Sequence, residues 1–309
     1  MLNFDETELS AFQARYGQTI PDNNYPTNEF IENILTRKTI RRFDTTRAVD
    51  PELYRKLIAA AQSSPTSSMI QPWSIIVVKS LEQKLKILKP ENYPFLGAVA
   101  NKVGELDPLN ITAIKECDAV FIWCLDHSII DRVVSNPELY KEKLDIAHLR
   151  DEILSNVNDF DIEIRSMTDA IIAAQTFCLA AESIGLGTMY CGSIRSLDLS
   201  EDLQIPTRVI PLFGICVGYP KEKILNPWGD IKQNAGPVYI KPRLPQEIVV
   251  HYEFYKTLDF EKVKEYNLLM KHFYKKNIQQ TDLFDRVIRR SSKFYQRFKE
   301  RCQKNKFFD

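Results

Sequence analysis

The longest apolar run of the chain, residues 170–181, places the strongest constraint on its fold. Ser166 and Asp169, three residues apart, match a capping box and predict that a helix begins just before this run. Because the helix would be apolar on nearly every side, it must be buried in a large core or between subunits. Gln175 interrupts the run and Glu182 ends it, so it is too short to cross a bilayer core about 30 Å thick.

Other segments alternate between helical and strand patterns. Asp50 and Pro51 predict a helix start, with a capping carboxylate before a proline at the first helical position, and Gly185 and Gly187 predict the end of the long helix. Short apolar runs predict strands. These runs are Trp73–Val78, 119–125, Val209–Gly218, which Pro211 interrupts, and 188–193 as a short strand or turn. With 309 residues, the chain can form one large domain or two ordinary ones.

Charge and composition argue against several classes of protein. Lysine plus arginine number 41 and aspartate plus glutamate number 41, so no global field attracts nucleic acid or an anionic membrane. None of the six cysteines has C-x-x-C spacing and none of the four histidines has metal-ligand spacing, so we expect neither disulfides nor a metal site. The first residues lack the pattern of a signal peptide. We therefore expect a soluble, reduced, cytoplasmic protein with no membrane or nucleic-acid partner.

A dense cationic segment, residues 36–43 (the basic segment), follows a predicted helix. Adjacent cations and a hydroxyl bind phosphate through charge-assisted hydrogen bonds, and arginine offers a bidentate fork. The alternative is a solvated helix end whose cations lie near the negative pole of the helix dipole. Ile40 and Phe43 favour the binding site because they anchor the segment against the core. The polar members of the segment are Arg37, Lys38, Thr39, Arg41 and Arg42.

A polar loop, residues 63–72, precedes the first predicted strand. Its Ser67, Ser68 and Gln71 can donate and accept hydrogen bonds along the polar edge of a flavin ring, although serine and proline are also ordinary loop formers. Pro72 and Trp73 fix the loop directly on the strand. The basic segment and the polar loop together suggest a bound phosphorylated aromatic cofactor, and FMN is the leading candidate.

Two further segments could contact such a cofactor. The small residues among Tyr-Cys-Gly-Ser at 190–193 would let the backbone approach a planar ring closely, although a glycine is equally typical of a strand end. Lys241 and Arg243 flank Pro242, which fixes the backbone. This pair could complete a phosphate site, and a solvated linker is the alternative.

The region after residue 259 alternates aromatic and basic residues with helical spacing. Such aromatics could stack on single-stranded nucleic acid, but they are more often the apolar face of a helix that docks on the body of the protein. The neutral total charge favours docking. The chain contains no G-x-S-x-G motif, no P-loop and no G-x-G-x-x-G after a strand, so no hydrolase or nucleotide-binding fingerprint is present.

The chain resembles the FMN-dependent nitroreductase superfamily in the order of five motifs. They are R-K-T-I-R-R-F, S-S-P-T-S-S-M-I-Q-P-W, A-A-E-S-I-G-L-G-T-M-Y-C-G-S-I-R, P-L-F-G-I-C-V-G-Y-P and K-P-R-L-P. The last motif and the long C-terminal region most resemble the oxygen-insensitive NADPH nitroreductase A and flavin reductase branch. The resemblance implies an α+β fold with a central, mainly antiparallel sheet flanked by helices and a helical C-terminal extension. It divides the chain into an N-terminal arm at 1–26, an FMN-binding domain at 27–255 with an insertion at about 127–164, and the extension at 256–309.

The resemblance also implies which residues hold FMN. Arg37, Lys38 and Thr39 would bind its phosphate or ribityl chain, with Arg41 nearby or at the pyrimidine edge of the ring, and Lys241 and Arg243 would close on the phosphate. Ser67, Ser68 and Gln71 would lie along the isoalloxazine, and Tyr190, Cys191, Gly192 and Ser193 would cover its N5 and O4 side.

The implied activity is hydride transfer from NADPH or NADH to FMN N5 and then to an electron-poor acceptor such as a nitroaromatic or a quinone. Family members are homodimers with FMN at the subunit interface, and the chemistry belongs to the cofactor rather than to a catalytic side chain. Two alternatives stay open: a flavin reductase or biosynthetic flavin dehydrogenase of the same superfamily, and a non-catalytic flavin-binding protein with a nucleic-acid-binding tail. Met69 stands where many members carry asparagine, and Gln280 and Thr281 stand where the branch tends to show arginines for the NADPH 2′-phosphate.

Overall fold

The computed structural model describes residues 28–89, 108–128, 159–192, 194, 197–221, 231–233, 236–238, 243–244, 246–256, 261–265 and 268. The chain divides into two compact units, Asn33–Ile224, and Met1–Glu32 together with Leu225–Asp309. The N-terminal arm, most of the expected insertion at 127–164 and most of the C-terminal extension lie outside the described residues.

Helices and strands are mixed in the larger unit, as predicted. Helix α1 (Glu29–Thr36) crosses the boundary between the two units. The larger unit continues with α2 (Pro51–Gln62), a 3-10 turn (Ser67–Met69), β1 (Trp73–Val78), α3 (Leu81–Ile87), α4 (Pro108–Glu116), β2 (Ala119–Asp126), α5 (Asp159–Ser183), β3 (Gly187–Cys191), α6 (Leu197–Asp202) and β4 (Val209–Gly218).

The smaller unit contains a two-stranded antiparallel sheet of β5 (Ile231–Gln233) and β6 (Gly236–Val238), followed by α7 (Gln246–Val249). Residues 261–265 are also helical. Among the helices that the structure describes, none combines the length and apolarity needed to span a membrane.

The four strands of the larger unit form one antiparallel sheet in the order β1-β2-β4-β3. The positions of all four strands confirm the sequence prediction. The register of β2 against β4 shifts between Trp123 and Cys124, which pair with Phe213 and Pro211. This bulge explains how Pro211 is accommodated within a strand, because proline cannot donate a ladder hydrogen bond.

Helix α2 begins as the sequence predicts. The Asp50 carboxylate accepts a hydrogen bond from the Glu52 backbone N–H at 2.9 Å, and Pro51 occupies the first turn. The helix packs against α5, and both contribute to one apolar core with β2 and β4. The buried members of this core include Tyr54, Leu57, Ala61, Phe121, Trp123, Phe177, Cys178, Ile215 and Val217.

Helix α5 differs from the prediction at its start and on its surface. It begins at Asp159 rather than near Ser166, so the capping-box interpretation was wrong. Ser166 and Asp169 lie inside the helix and are buried, because the helical pattern continues upstream and Asp169 has a tertiary partner. Ile171 and Ile172 remain 52% and 37% exposed. The core of one chain therefore buries only part of this apolar helix.

Two glycines shape the connection from α5 to β3. Gly185 has a φ of +82°, and the Leu186 N–H donates to the Ala181 carbonyl at 3.0 Å, so Gly185 ends the helix as predicted. Gly187 has another role, because a Cβ there would lie 2.8 Å from side-chain atoms of Ile40. The absence of a side chain at Gly187 lets β3 approach the basic segment closely.

Candidate functional site

The basic segment runs along the edge of β3. Thr39 forms an isolated parallel bridge with Thr188, and the Ile40 N–H donates to the Thr188 carbonyl at 2.9 Å. Ile40 and Phe43 are only 3% and 1% exposed, which confirms that these residues anchor the segment. The cations between them are thus attached to a rigid strand.

Two cations of the basic segment are held by helix α4. Arg42 makes a bidentate contact with the Glu116 carboxylate, with both N···O distances at 2.9 Å, and the same carboxylate accepts the Phe43 N–H at 3.2 Å. The Arg41 Nε donates to Asn110 at 3.1 Å. Arg42 therefore fastens the segment to the fold, and Asn110 orients Arg41.

The first cation of the segment meets helix α5. The Arg37 Nη1 lies 3.4 Å from the Glu182 Oε1, and the Arg37 side chain keeps 21% of its surface exposed. The Thr188 hydroxyl donates to the same Glu182 oxygen. Lys38 is buried, at 8% exposure. Phosphate binding by Arg37 and Lys38 stays a prediction, and the pairing with Glu182 fixes where the Arg37 guanidinium lies.

The polar loop has an unusual backbone. Ser68, Met69 and Gln71 have φ values of 53°, 56° and 51°, in the left-handed region that costs a non-glycine residue about 1–2 kcal/mol. Met69 is 84% exposed, so packing of its side chain does not hold this conformation. Strained backbone of this kind concentrates at ligand-binding sites, where the surrounding structure fixes it.

Helix α5 supplies the anchors of this loop. The Ser67 N–H donates to the Asp169 Oδ2 at 3.0 Å, and the Ser64 hydroxyl donates to the Thr176 Oγ1 at 2.8 Å. Asp169 is only 5% exposed. The loop is thus held at its base by two residues of one helix, while its tip faces solvent.

The end of β3 is the third predicted segment. The Tyr190 hydroxyl donates to the Gln175 Oε1 at 3.3 Å, and removal from water together with the neighbouring Cys178 thiol raises the pKa of Tyr190, so the hydroxyl stays neutral. Cys191 is buried, and its Sγ lies 3.6 Å from the Cys216 Sγ. A Cβ at Gly192 would meet no atom within 4 Å. The backbone at Gly192 is therefore open to a ligand.

Helix α5 thus contacts all three segments, at different places. Thirteen residues separate Asp169 from Glu182, which corresponds to about 20 Å along the helix and about 140° around it. Gln175, the partner of Tyr190, lies between them. In one chain, the Ser67 N–H meets α5 near the middle of the helix, and Arg37 meets it near the C-terminal end and on a different side.

The remaining predicted residues are distributed as follows. Arg243 is exposed in the smaller unit, and Lys241 and Ser193 lie outside the described residues. Sequence reasoning missed the partners Asp169, Gln175 and Glu182. The available signal was the presence of polar residues within or beside an apolar helical run, since carboxylates are rarely buried without a partner.

The donor set fits FMN. A partly exposed guanidinium suits the phosphate, hydroxyls and an amide on a rigid loop suit the polar ring edge, and the open backbone at Gly192 admits a planar group. Within the described part of the chain, no group of three metal-ligating side chains is assembled. The guanidinium of Arg37, the polar loop and Gly192 all lie in the larger unit.

Comparison with known families gives two matches. The model of the nitroreductase family matches residues 34–219, and that of the nitroreductase family C-terminal domain matches residues 241–308. The first match contains the basic segment, the polar loop and the end of β3. The second contains Lys241 and Arg243.

Named relatives agree with these matches. The chain is 34% identical over 233 residues to an FMN reductase (NADPH) of Bacillus subtilis, covering 74% of this chain and 76% of the relative. It is 26% identical to an NADPH-flavin oxidoreductase of Vibrio harveyi, covering 80% and 83%.

Solved structures share the fold. NfrA1 of B. megaterium superposes with a TM-score of 0.63 at 28% identity, covering 90% of this chain and 98% of that one. The V. harveyi NADPH:FMN oxidoreductase complexed with NAD+ superposes with a TM-score of 0.56 at 26% identity, covering 80% and 87%. The α+β fold with its antiparallel sheet is therefore confirmed, and the chain belongs to the nitroreductase family.

Proposed function

We propose that this protein is an FMN-dependent oxidoreductase that takes a hydride from NADPH or NADH and passes it to electron-poor acceptors such as nitroaromatics or quinones. The observation that carries the proposal is the attachment of three predicted flavin-binding segments to one helix, α5. The names of the relatives, FMN reductase and NADPH-flavin oxidoreductase, support the same activity. Bound FMN supplies the hydride chemistry.

The protein's side chains position the cofactor in this proposal. The phosphate and ribityl chain meet the basic segment, and the ring lies between the polar loop and the end of β3. The neutral Tyr190 hydroxyl, oriented by Gln175, lines the ring side of the site. The full set of proposed FMN-binding residues is Arg37, Lys38, Thr39, Arg41, Ser67, Ser68, Gln71, Tyr190, Cys191, Gly192, Ser193, Lys241 and Arg243.

A two-fold homodimer would complete this site. The Ser67 N–H and Arg37 of one chain meet α5 at Asp169 and Glu182, about 20 Å apart along the helix and on different sides of it. A second copy would bring the two kinds of segment to one ligand. Antiparallel pairing of two α5 helices, centred near Gln175, would place the polar loop of one copy level with Arg37 of the other. The exposed Ile171 and Ile172, close to Gln175, support burial of this face.

The cellular location and the domain limits are also part of the proposal. Five described cysteines are buried and free, which supports a reducing, cytoplasmic location. The two family matches support a catalytic body followed by a distinct C-terminal extension. We retain the proposed limits of 27–255 for the body and 256–309 for the extension.

A second candidate function is flavin reductase, in which free FMN is itself the acceptor. Two relatives from B. subtilis are named FMN reductase, one with NADPH and one with NAD(P)H as the reductant. These names favour this candidate and leave open whether NADPH or NADH is the reductant. The two functions share one FMN site and differ only in the acceptor.

The proposed activity is tested by following the flavin absorption of the purified protein without oxygen. We expect NADPH to bleach the visible absorption band of the bound flavin. Nitrofurazone or a quinone should then restore that band. Reoxidation by added free FMN at a higher kcat/KM than by either acceptor would favour flavin reductase. If neither NADPH nor NADH bleaches the bound flavin, the proposed oxidoreductase activity is wrong.

A further inference from the structure

Two carboxylates of α5 face the predicted cofactor-binding segments rather than solvent. Asp169 is 5% exposed and the Glu182 side chain is 12% exposed. A carboxylate removed from water is unfavourable unless hydrogen bonds or cations replace its hydration. The partners of both carboxylates belong to segments that the flavin site uses.

Near the middle of α5, Asp169 controls the polar loop. Its Oδ2 accepts a hydrogen bond from the Ser67 N–H at 3.0 Å. The next two residues, Ser68 and Met69, have left-handed backbone. The exposed side chain of Met69 offers no packing that would hold this shape. The buried carboxylate therefore fixes the direction in which the loop presents its hydroxyls.

At the C-terminal end of α5, Glu182 controls the basic segment. Its Oε1 lies 3.4 Å from the Arg37 Nη1 and also accepts the Thr188 hydroxyl of β3. A flexible arginine loses rotamer freedom when it binds an anion, and the contact with Glu182 reduces that loss by restraining the side chain beforehand. Glu182 thus sets the position of the guanidinium relative to the strand.

We infer that Asp169 and Glu182 are positioning residues for opposite ends of the flavin: Asp169 places the ring-binding loop, and Glu182 places the phosphate-binding Arg37. The inference rests on the proposed function, since it assumes that the site holds FMN. It goes further because it assigns each end of the ligand to a carboxylate that acts through another residue. The two carboxylates then have separable effects on binding.

The test compares FMN with riboflavin, which has the same ring and no phosphate. The full-length protein is freed of flavin, and both ligands are titrated while flavin fluorescence is followed. For Glu182→Ala we expect at least about tenfold weaker FMN binding, the effect of losing a charge-assisted contact, with riboflavin affinity unchanged. For Asp169→Ala we expect FMN and riboflavin to weaken by the same factor, about tenfold.

Conservative variants separate the positioning role of each carboxylate from the effect of its negative charge. Glu182→Gln and Asp169→Asn keep an acceptor oxygen, so both should bind FMN within about threefold of the unmodified protein. Equal or tighter FMN binding by Glu182→Ala would show that its negative charge opposes the phosphate and would overturn its assigned role. Weakening of FMN alone by Asp169→Ala would overturn the role of Asp169.

The same titration distinguishes this inference from the proposed function. If the unmodified protein binds neither flavin, the FMN site itself is wrong. If the unmodified protein binds FMN, and all four variants bind FMN and riboflavin as tightly as it does, the FMN site stands and the positioning roles fail. Riboflavin binding by Glu182→Ala also reports whether β3 has kept its structure, because Thr188 loses its partner in that variant.

Discussion

Changing Arg37 to glutamine and Lys38 to methionine is expected to yield a folded protein that purifies largely without flavin. Both substitutions remove a cation while keeping most of the side-chain length, and methionine can fill the buried space of Lys38. Hydrogen bonds to charged groups contribute about 1.5–3 kcal/mol each. Losing two such contacts raises the FMN dissociation constant by about 10²- to 10⁴-fold.

The chain offers a matched control for this double variant. Arg55 and Lys56 are also adjacent cations, but they lie exposed on α2, and the ion pair of Arg55 with Glu52 is solvent-exposed and worth less than about 1 kcal/mol. Arg55→Gln with Lys56→Met makes the same change in net charge and should retain FMN. Stoichiometric FMN in the Arg37 and Lys38 variant, at unchanged affinity, would show that the basic segment does not bind the phosphate.

Replacing Phe177 with alanine is expected to cause a large loss of stability. Its ring is fully buried on α5, with its centroid 4.7 Å from that of Phe121 and 6.0 Å from that of Trp123. Truncation of a buried phenylalanine costs about 3–5 kcal/mol, from lost transfer free energy and from the cavity. Urea unfolding at a fixed FMN concentration measures this loss as a lower midpoint.

An exposed aromatic provides the comparison for Phe177. Phe254 is 78% exposed, and Phe254→Ala should change the free energy of unfolding by no more than about 0.5 kcal/mol. Because α5 also carries Asp169, Gln175 and Glu182, a loosened helix should weaken FMN binding as well. An unfolding midpoint for Phe177→Ala within error of that for Phe254→Ala would contradict the packing described for α5.

The strands could be predicted from the sequence because their signals are local. Trp73–Val78 and Val209–Gly218 are short apolar runs with loop residues at their ends, and the structure has the same bounds. The bulge that accommodates Pro211 could not be predicted, because it depends on the register between β2 and β4. Local composition does not specify which residues lie opposite each other on neighbouring strands.

The site could be predicted only in part, for a similar reason. The residues on the basic segment and the polar loop were recognisable by their chemistry and by the order of motifs. The sequence predicts that Asp169 belongs to a capping box with Ser166, whereas its partner, the Ser67 N–H, lies 102 positions away. The sequence predicts that Gly187 helps to end the helix, whereas its absent side chain makes room for Ile40. Roles that depend on contacts between distant segments leave little trace in a single sequence.

Native mass spectrometry of the purified full-length protein tests the central claim most directly. The claim is that polar loops and basic segments from two copies hold FMN between them. We expect a mass equal to two chains plus two FMN molecules, with FMN released when the protein is denatured. A single chain carrying one tightly bound FMN would contradict the shared site, and a dimer without any flavin would contradict the cofactor.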